Sequence, residues 1–273
     1  MQAEGLIRLA GKLRDVNSER KAPTIDDARQ IANLLVAAFP AIDAVLLFGS
    51  VARGDANSWS DIDLAIIGSD ENLTPEQLRY ALTERDERVS LIYYPAALFR
   101  KLYDDRALFI AHLKKEGIAL HDPQGLFKTL LSQPFIPNVD VARELSAQRA
   151  KLAPYSDPRR FNNNFLFCLS HLYSIGKGVI MLGLAKRGIL EFNRDAAFRR
   201  FAALNPDLAK ETEKVAQLRP FYRLVTKRQR EPLPFPYESA NHQLQEAVAA
   251  IETLARRTET LLLYLWRLSY LTS

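Results

Sequence analysis

The sequence predicts a small α/β sheet domain followed by an all-α helical bundle. Three observations carry that reading. Strand and helix patterns alternate over roughly the first 120 residues, strand signals stop beyond a proline-bearing stretch at 131–142, and helical periodicity fills the remainder. The boundary falls near 130, giving residues 1–130 as one domain and 131–273 as the other. At 273 residues the chain is long enough to bury two cores.

The elements follow in order. Residues 24–39 show apolar positions at helical spacing, with Thr24 as the N-cap and Asp26 and Asp27 in the first turn. Ala44–Phe48 is a short apolar run that ends in Gly49-Ser50, the mark of a buried strand and a turn. Asp61–Ile67 is a second strand, Thr74-Pro75-Glu76 opens a helix with proline at its first position, and Arg88–Tyr94 is a third strand stopped by Pro95. Further helix runs to about Lys115, and Gly117–Leu120 adds an edge strand. Beyond the hinge, 158–187 reads as one long helix, followed by helices near 194–204 and 207–228. A proline-rich break spans 231–236, and a final helix covers 238–271. That last helix repeats Leu244, Ala247, Ile251, Leu254, Leu261, Leu265 and Leu268 at steps of three or four, with Thr258 standing where an apolar residue is expected.

Composition narrows the class. Hydrophobic residues make up 48% and charged residues 25%, which excludes wholesale disorder and fibrous structure. The single cysteine, Cys168, leaves no intramolecular disulfide and no cysteine-based zinc cluster. The N-terminal MQAEGLIRLAGKLRDV carries charges every few residues and lacks a signal-type apolar stretch. The most apolar run, 165–185, is interrupted by His171 and Lys177 and reads as a buried helix rather than a membrane span. A cytoplasmic protein with no membrane partner is therefore expected. Charge is uneven: residues 1–127 hold 15 Lys+Arg against 19 Asp+Glu, and residues 128–273 hold 22 against 13. An acidic half joined to a basic half suggests two kinds of work, one of them gripping an anion, although basic helices are also simply well solvated.

The chemistry concentrates in Leu47-Phe48-Gly49-Ser50-Val51-Ala52-Arg53-Gly54-Asp55 and the following Ser58-Trp59-Ser60-Asp61-Ile62-Asp63-Leu64. A hydrophobic strand ends in Gly-Ser and a helix begins directly after it. Gly49 lets backbone approach a ligand, Ser50 offers a hydroxyl, and the helix start presents free N–H groups to an anion. Asp61 and Asp63 alternate along a strand and so share a face, spaced for one divalent metal or a pair. A phosphate cradle beside a two-carboxylate metal site is what phosphoryl or nucleotidyl transfer requires.

The segment FGSVARGDANSWSDIDL resembles the signature of the DNA polymerase β-like nucleotidyltransferase superfamily, Gly-Ser followed at about ten residues by Asp-x-Asp; Ala-Arg-Gly and the serine before the first aspartate resemble its small bacterial members. The resemblance covers about residues 24–122; the remainder is similar to the family only in kind, as a helical bundle after the catalytic domain. It implies a small mixed sheet and a Mg²⁺- (or Mn²⁺-) dependent attack of an acceptor on the α-phosphate of an NTP, with release of pyrophosphate. Asp61 and Asp63 would hold the metal, and Gly49, Ser50 and Arg53 the β- and γ-phosphates. The implied acceptors are an RNA 3′ end such as that of tRNA, a protein hydroxyl or a small molecule. The family also carries a third carboxylate on the next strand, where this chain has Ser90. Three accounts of the departure stand open: Asp86, which shares the parity of Ser90, substitutes for it; a residue of the helical region supplies the base; or the protein is a nucleotide-binding, antitoxin-like module with weak or no turnover.

Other residues carry less. Arg53 either touches a triphosphate or pairs with Asp55. Lys177, in an otherwise apolar helix, either reaches nucleotide phosphates, as helical-region lysines do in related enzymes, or snorkels to the helix edge. His171 reads as a core histidine, and His112 and His121 as structural or surface residues. Arg219, Arg223, Lys227, Arg228 and Arg230, interleaved with Phe221 and Tyr222, suit a nucleic-acid backbone or a solvated helix face.

Overall fold

The computed structural model describes residues 21–82, 88–138, 140–227 and 239–271. The chain packs as two compact units, one from Met1–Phe99 with Glu116–Ser132 and the other from Arg100–Lys115 with Gln133–Ser273. The first unit is thus discontinuous in sequence: residues 100–115, placed on the N-terminal side of a cut at 130, pack with the helical unit.

In the first unit, helix α1 (Ile25–Ala38) starts where a capping box closes. Thr24 Oγ1 accepts the Asp27 N–H at 3.2 Å while the Asp27 carboxylate accepts the Thr24 N–H at 2.8 Å. Its Ala28, Ile31, Ala32 and Leu35 recur at i, i+3, i+4 and i+7 and are buried as one stripe. Strand β1 (Ile42–Phe48) leads into the five-residue helix α2 (Gly49–Arg53), and strand β2 (Ile62–Gly68) follows. Helix α3 (Pro75–Tyr80) is capped by a second box, Thr74 with Gln77, and strand β3 (Val89–Pro95) follows. Helices α4 (Ala96–Asp104) and α5 (Leu108–Glu116) replace the single helical reach expected up to Lys115. Strand β4 (Ile118–His121) and helix α6 (Leu126–Ser132) complete this part of the chain.

The sheet order is β3-β2-β1-β4, with β2/β3 parallel and the other pairs antiparallel, so the sheet is mixed. Central β1 and β2 read as apolar runs but for Asp43 and Asp63, each the second residue of its strand, because both of their faces are covered. One face sets Val45, Leu47, Ile62, Leu64 and Ile66 in a cluster with the α1 stripe and Leu78 of α3. Full burial of side chains of this size stabilises by about 1.5–3 kcal/mol each, which makes this face the main anchor of the sheet. The opposite face carries Ala44, Leu46, Ala65 and Ile67, also fully buried, and by alternation it carries Asp63 as well.

The second unit is helical among its described residues. Helix α7 (Val141–Ala150) is capped by Asp140. Residues 158–187 are not one helix: a 3-10 turn at Pro158–Phe161 ends in Asn162 and Asn163, both at positive φ (53° and 56°), and Asn164 then caps α8 (Phe165–Lys186). Asparagine tolerates the left-handed region and caps helices, so the three asparagines impose the break that hydrophobic periodicity overlooks. Helix α9 (Arg194–Leu204) has the expected bounds. The stretch 207–228 divides into a 3-10 turn at Pro206–Leu208, α10 (Ala209–Ala216) and α11 (Arg219–Lys227). The break falls at Gln217 and Leu218, and Pro220 stands in the first turn of α11, where its missing N–H breaks no helical hydrogen bond. Helix α12 (Ala240–Leu271) closes the chain. The break expected at 231–236 lies outside the described residues.

Helix α8 is long and apolar enough to cross a membrane by length and composition. Its Leu169, Leu172, Tyr173, Val179 and Ile180 are buried in one cluster with Leu145 of α7, Val215 of α10 and Leu244, Ile251 and Leu254 of α12. It is the central helix of this unit. Gly176 permits the closest packing: a Cβ there would lie 2.5 Å from Val215 Cγ1 and 3.2 Å from Ile251 Cγ1.

Candidate functional site

The register of three strands gathers the site. Phe48, the last residue of β1, lies opposite Asp63, and Asp63 lies opposite Ser90 of β3. Asp61 directly precedes β2, whose first residue donates its N–H to the Arg88 carbonyl at 2.9 Å. The chain turns at Gly49, with φ of +78°, and a Cβ on Gly49 would fall 2.4 Å from Asp63 Oδ2. Glycine is therefore required twice, for the left-handed backbone and for the carboxylate beside it. This close approach puts Gly49 and Ser50 next to Asp63. Helix α2 is a little over one turn, so what it offers an anion is its first N–H groups rather than a long dipole.

The loop that delivers Asp61 is tied by Asn57, whose role composition does not reveal. Its side-chain oxygen accepts the Trp59 N–H at 2.9 Å, its own N–H reaches Ser60 Oγ at 2.9 Å, and its carbonyl accepts the Ser60 N–H at 2.9 Å. An Asx-type turn of this kind fixes the backbone just before the carboxylate pair.

Arg53 is engaged. Its Nη1 lies 2.7 Å from Glu116 Oε2, and Nε and Nη2 each lie 3.3 Å from the Asp55 carboxylate. Burial disfavours the charged guanidinium, but Glu116 and Asp55 more than offset that cost and hold Arg53 above its ordinary value. The arginine thereby fastens the end of α2 to the residue that ends α5, just before β4. Glu116 sits 63 residues away in sequence, and no local pattern announces it; the Asp55 pairing is legible from sequence.

Gly49, Ser50, Arg53, Asp61, Asp63 and Ser90 are thus brought into one neighbourhood. Asp86 lies outside the described residues. Lys177 stands on α8 of the helical unit, its Nζ 6.0 Å from the centre of the Tyr222 ring. His171 bonds through Nδ1 to the Tyr155 hydroxyl at 2.9 Å and packs on Phe167, and His112 stacks on Phe192 at 4.1 Å. No cluster of three or more His, Cys, Asp or Glu side chains suited to a metal occurs among the described residues. Asp63 on β2 and Asp61 directly before it nonetheless fit Mg²⁺, which takes one or two protein carboxylates and completes its shell with water and substrate phosphates.

A family model described as polymerase beta, nucleotidyltransferase, matches residues 29–124, the span that contains every residue of this neighbourhood. Residues 29–124 thus match the polymerase β-like nucleotidyltransferase family. Spectinomycin adenyltransferase AAD(9) from Enterococcus faecialis, solved with ATP and spectinomycin, is similar in structure with a TM-score of 0.50 and 13% identity, covering 84% of this chain and 100% of that one. A nucleotidyltransferase-like protein from Exiguobacterium sibiricum 255-15 matches with a TM-score of 0.37 and 14% identity over 84% of this chain and 75% of that chain. A toxin-antitoxin structure with AMP-PNP gives a TM-score of 0.30 and 19% identity, over 38% and 81% respectively. At such identities the adenyltransferase likeness is one of fold: a nucleotidyltransferase domain with a small mixed sheet, followed by helices. No curated protein matches the sequence.

Proposed function

We propose that this nucleotidyltransferase domain transfers a nucleoside monophosphate from an NTP to an acceptor hydroxyl, releasing pyrophosphate. The observation that carries the reading is the packing of Gly49 against Asp63, with a Cβ-to-Oδ2 distance that admits no side chain. A Gly-Ser turn held against a strand carboxylate puts phosphate donors and a metal-binding oxygen side by side. The Gly49 and Ser50 backbone and the Ser50 hydroxyl hold the phosphate oxygens, and Asp61 and Asp63 hold Mg²⁺ or Mn²⁺. When bound, the cation neutralises the triphosphate and polarises the phosphorus under attack. Arg53 serves chiefly to fix α2 through Glu116 and Asp55, because its donors are already committed. Lys177 is a further candidate for the nucleotide phosphates.

The acceptor is open to argument from charge. The adenyltransferase named above was solved with a small-molecule antibiotic, but residues 128–273 here hold 22 Lys+Arg against 13 Asp+Glu. A basic second half disfavours a cationic acceptor and favours an anionic one such as RNA. One observation favours a second reading, a nucleotide-binding regulatory module with little turnover: the residue in register with Asp63 on β3 is Ser90, not a carboxylate.

The test has two parts. Calorimetry with NTP and Mg²⁺, repeated with chelator, is expected to show affinity lost on chelation, because two carboxylates repel a triphosphate until a cation intervenes. Asp61→Asn with Asp63→Asn should remove that metal dependence. Incubation with each α-labelled NTP, Mg²⁺ and total cellular RNA or protein should then label the acceptor. Metal-dependent binding without label transfer would select the regulatory reading, and NTP binding indifferent to chelator would overturn the site.

A further inference from the structure

The two carboxylates of the site are held by different means. Asp63 lies inside the sheet, opposite Phe48 on one side and Ser90 on the other, so strand ladders on both sides fix its backbone. Asp61 stands before β2 and outside both registers. Its place depends on the loop that leads to it, residues 54–61 between α2 and β2. That loop is pinned at both ends. At its start Gly54, at φ of +78°, donates its N–H to the Val51 carbonyl at 3.2 Å, and the Asp55 N–H reaches the Ser50 carbonyl at 3.1 Å. At its end three bonds of 2.9 Å close a four-residue turn: the Ser60 N–H to the Asn57 carbonyl, the Asn57 N–H to Ser60 Oγ, and the Trp59 N–H to Asn57 Oδ1.

Two of those three bonds depend on side chains, one from Asn57 and one from Ser60. The backbone bond alone is compatible with several turn types, and the side-chain bonds select among them. Asn57 is exposed, Ser60 is partly exposed, and neither belongs to a hydrophobic core. Neutral hydrogen bonds at such a place add little to stability. What they do is narrow the directions open to the residue that follows, which is Asp61. Mg²⁺ demands near-ideal octahedral geometry, so a carboxylate that wanders from its position is lost as a ligand.

We propose that Asn57 and Ser60 are positioning residues for the Asp61 carboxylate, setting it beside Asp63 so that both meet one divalent cation. The assignment rests on the metal site of the transferase reading. The sheet sets one ligand and the turn sets the other, so metal affinity depends on two neutral side chains that touch no metal. The loop starts at the Ser50 carbonyl and ends at Asp61, and therefore also relates the serine offered to the phosphates to the aspartate offered to the cation.

The test uses the full-length protein and Mn²⁺ alone, without NTP, with affinity read from the electron paramagnetic resonance of the unbound ion. Asp61→Asn sets the scale for a lost ligand. Asn57→Ala and Ser60→Ala are each expected to weaken Mn²⁺ binding by about 10-fold, the low end of what groups supporting a metal ligand contribute. Ser60→Thr keeps the hydroxyl and should keep the affinity. Asn57→Asp keeps the acceptor oxygen and should bind at least as tightly as the wild type. Ser58→Ala, in the same loop but outside the three bonds, should change nothing. Melting followed by circular dichroism should match the wild type for the Asn57→Ala, Ser58→Ala and Ser60→Ala proteins, because these side chains lie outside the cores. If Asn57→Ala and Ser60→Ala bind Mn²⁺ as the wild type does while Asp61→Asn binds it more weakly, the positioning role is overturned and the metal site stands. If Asp61→Asn also binds as the wild type does, the metal site itself falls, and the positioning role with it. A loss in Ser58→Ala equal to that in Asn57→Ala would overturn the proposal too, since any disturbance of the loop would then suffice.

Discussion

Ser90 faces Asp63 across two parallel strands, and the side chain there decides how many carboxylates the sheet presents. Ser90→Asp would set a third carboxylate beside Asp63 on the same face. In metal-free protein the added charge repels its neighbours, so the variant should melt lower than the wild type and recover on addition of Mg²⁺. With metal and NTP, label transfer should rise by about 10²-fold, the low end of what a positioned base contributes. A variant that transfers more slowly than the wild type would mean that the wild type already has its base elsewhere. Thr258 is the opposite case, a polar group where none is needed. It is buried, its hydroxyl has no hydrogen-bond partner among the described residues, and its methyl group lies near Gly183. Thr258→Val removes a buried unsatisfied hydroxyl at nearly constant shape, and should stabilise by about 1 kcal/mol. A shift in denaturation midpoint at constant m reports it. Thr258 was visible in the sequence as the gap in an apolar repeat. The Glu116 partner of Arg53 was not, because ion pairs between distant segments leave no periodic trace.

Among the elements, those with capping chemistry or continuous apolar runs were readable to within two or three residues. Thr24 and Thr74 start their helices through boxes that can be read directly, and β1 and β2 are apolar but for Asp43 and Asp63. The errors occur where backbone punctuation interrupts a good helical pattern, at Asn162–Asn164 and before Pro220. Central helix α8 shows how packing overrides propensity. Gly176 costs the helix about 1 kcal/mol relative to alanine, yet a Cβ there would meet Val215 and Ile251, both fully buried. Val215 is β-branched and has little rotamer freedom to move aside. Overpacking of this kind costs about 1–3 kcal/mol, so crowding outweighs the propensity gain. Gly176→Ala is expected to lower stability by about 1 kcal/mol, measured in urea. A stabilised variant would mean that α8, α10 and α12 separate more easily than their packing implies.

At the scale of the whole molecule, the two units do not follow a single cut in the chain. Residues 100–115 leave the first unit after Phe99 and return to it at Glu116. Their fastenings lie in the helical unit: Lys115 Nζ donates to the Leu190 carbonyl, Lys114 Nζ to the Gln133 carbonyl at 2.6 Å, and His112 stacks on Phe192 at 4.1 Å. Ile110, Ala111 and Leu113 are buried as well. A fragment ending at 132 carries this segment without the partners it packs on, and a fragment beginning at 133 has the partners without the segment. Each fragment would therefore expose apolar surface that the intact chain covers, and neither is expected to fold to a cooperative unit. Expressed together, the two should associate, because the segment supplies the hydrogen bonds and the His112–Phe192 stack that join them. The check is thermal unfolding by circular dichroism of each fragment alone and of the pair, against the intact protein. Cooperative melting of both isolated fragments would show that residues 100–115 contribute little to the helical unit, and that the functional division lies near 130 after all.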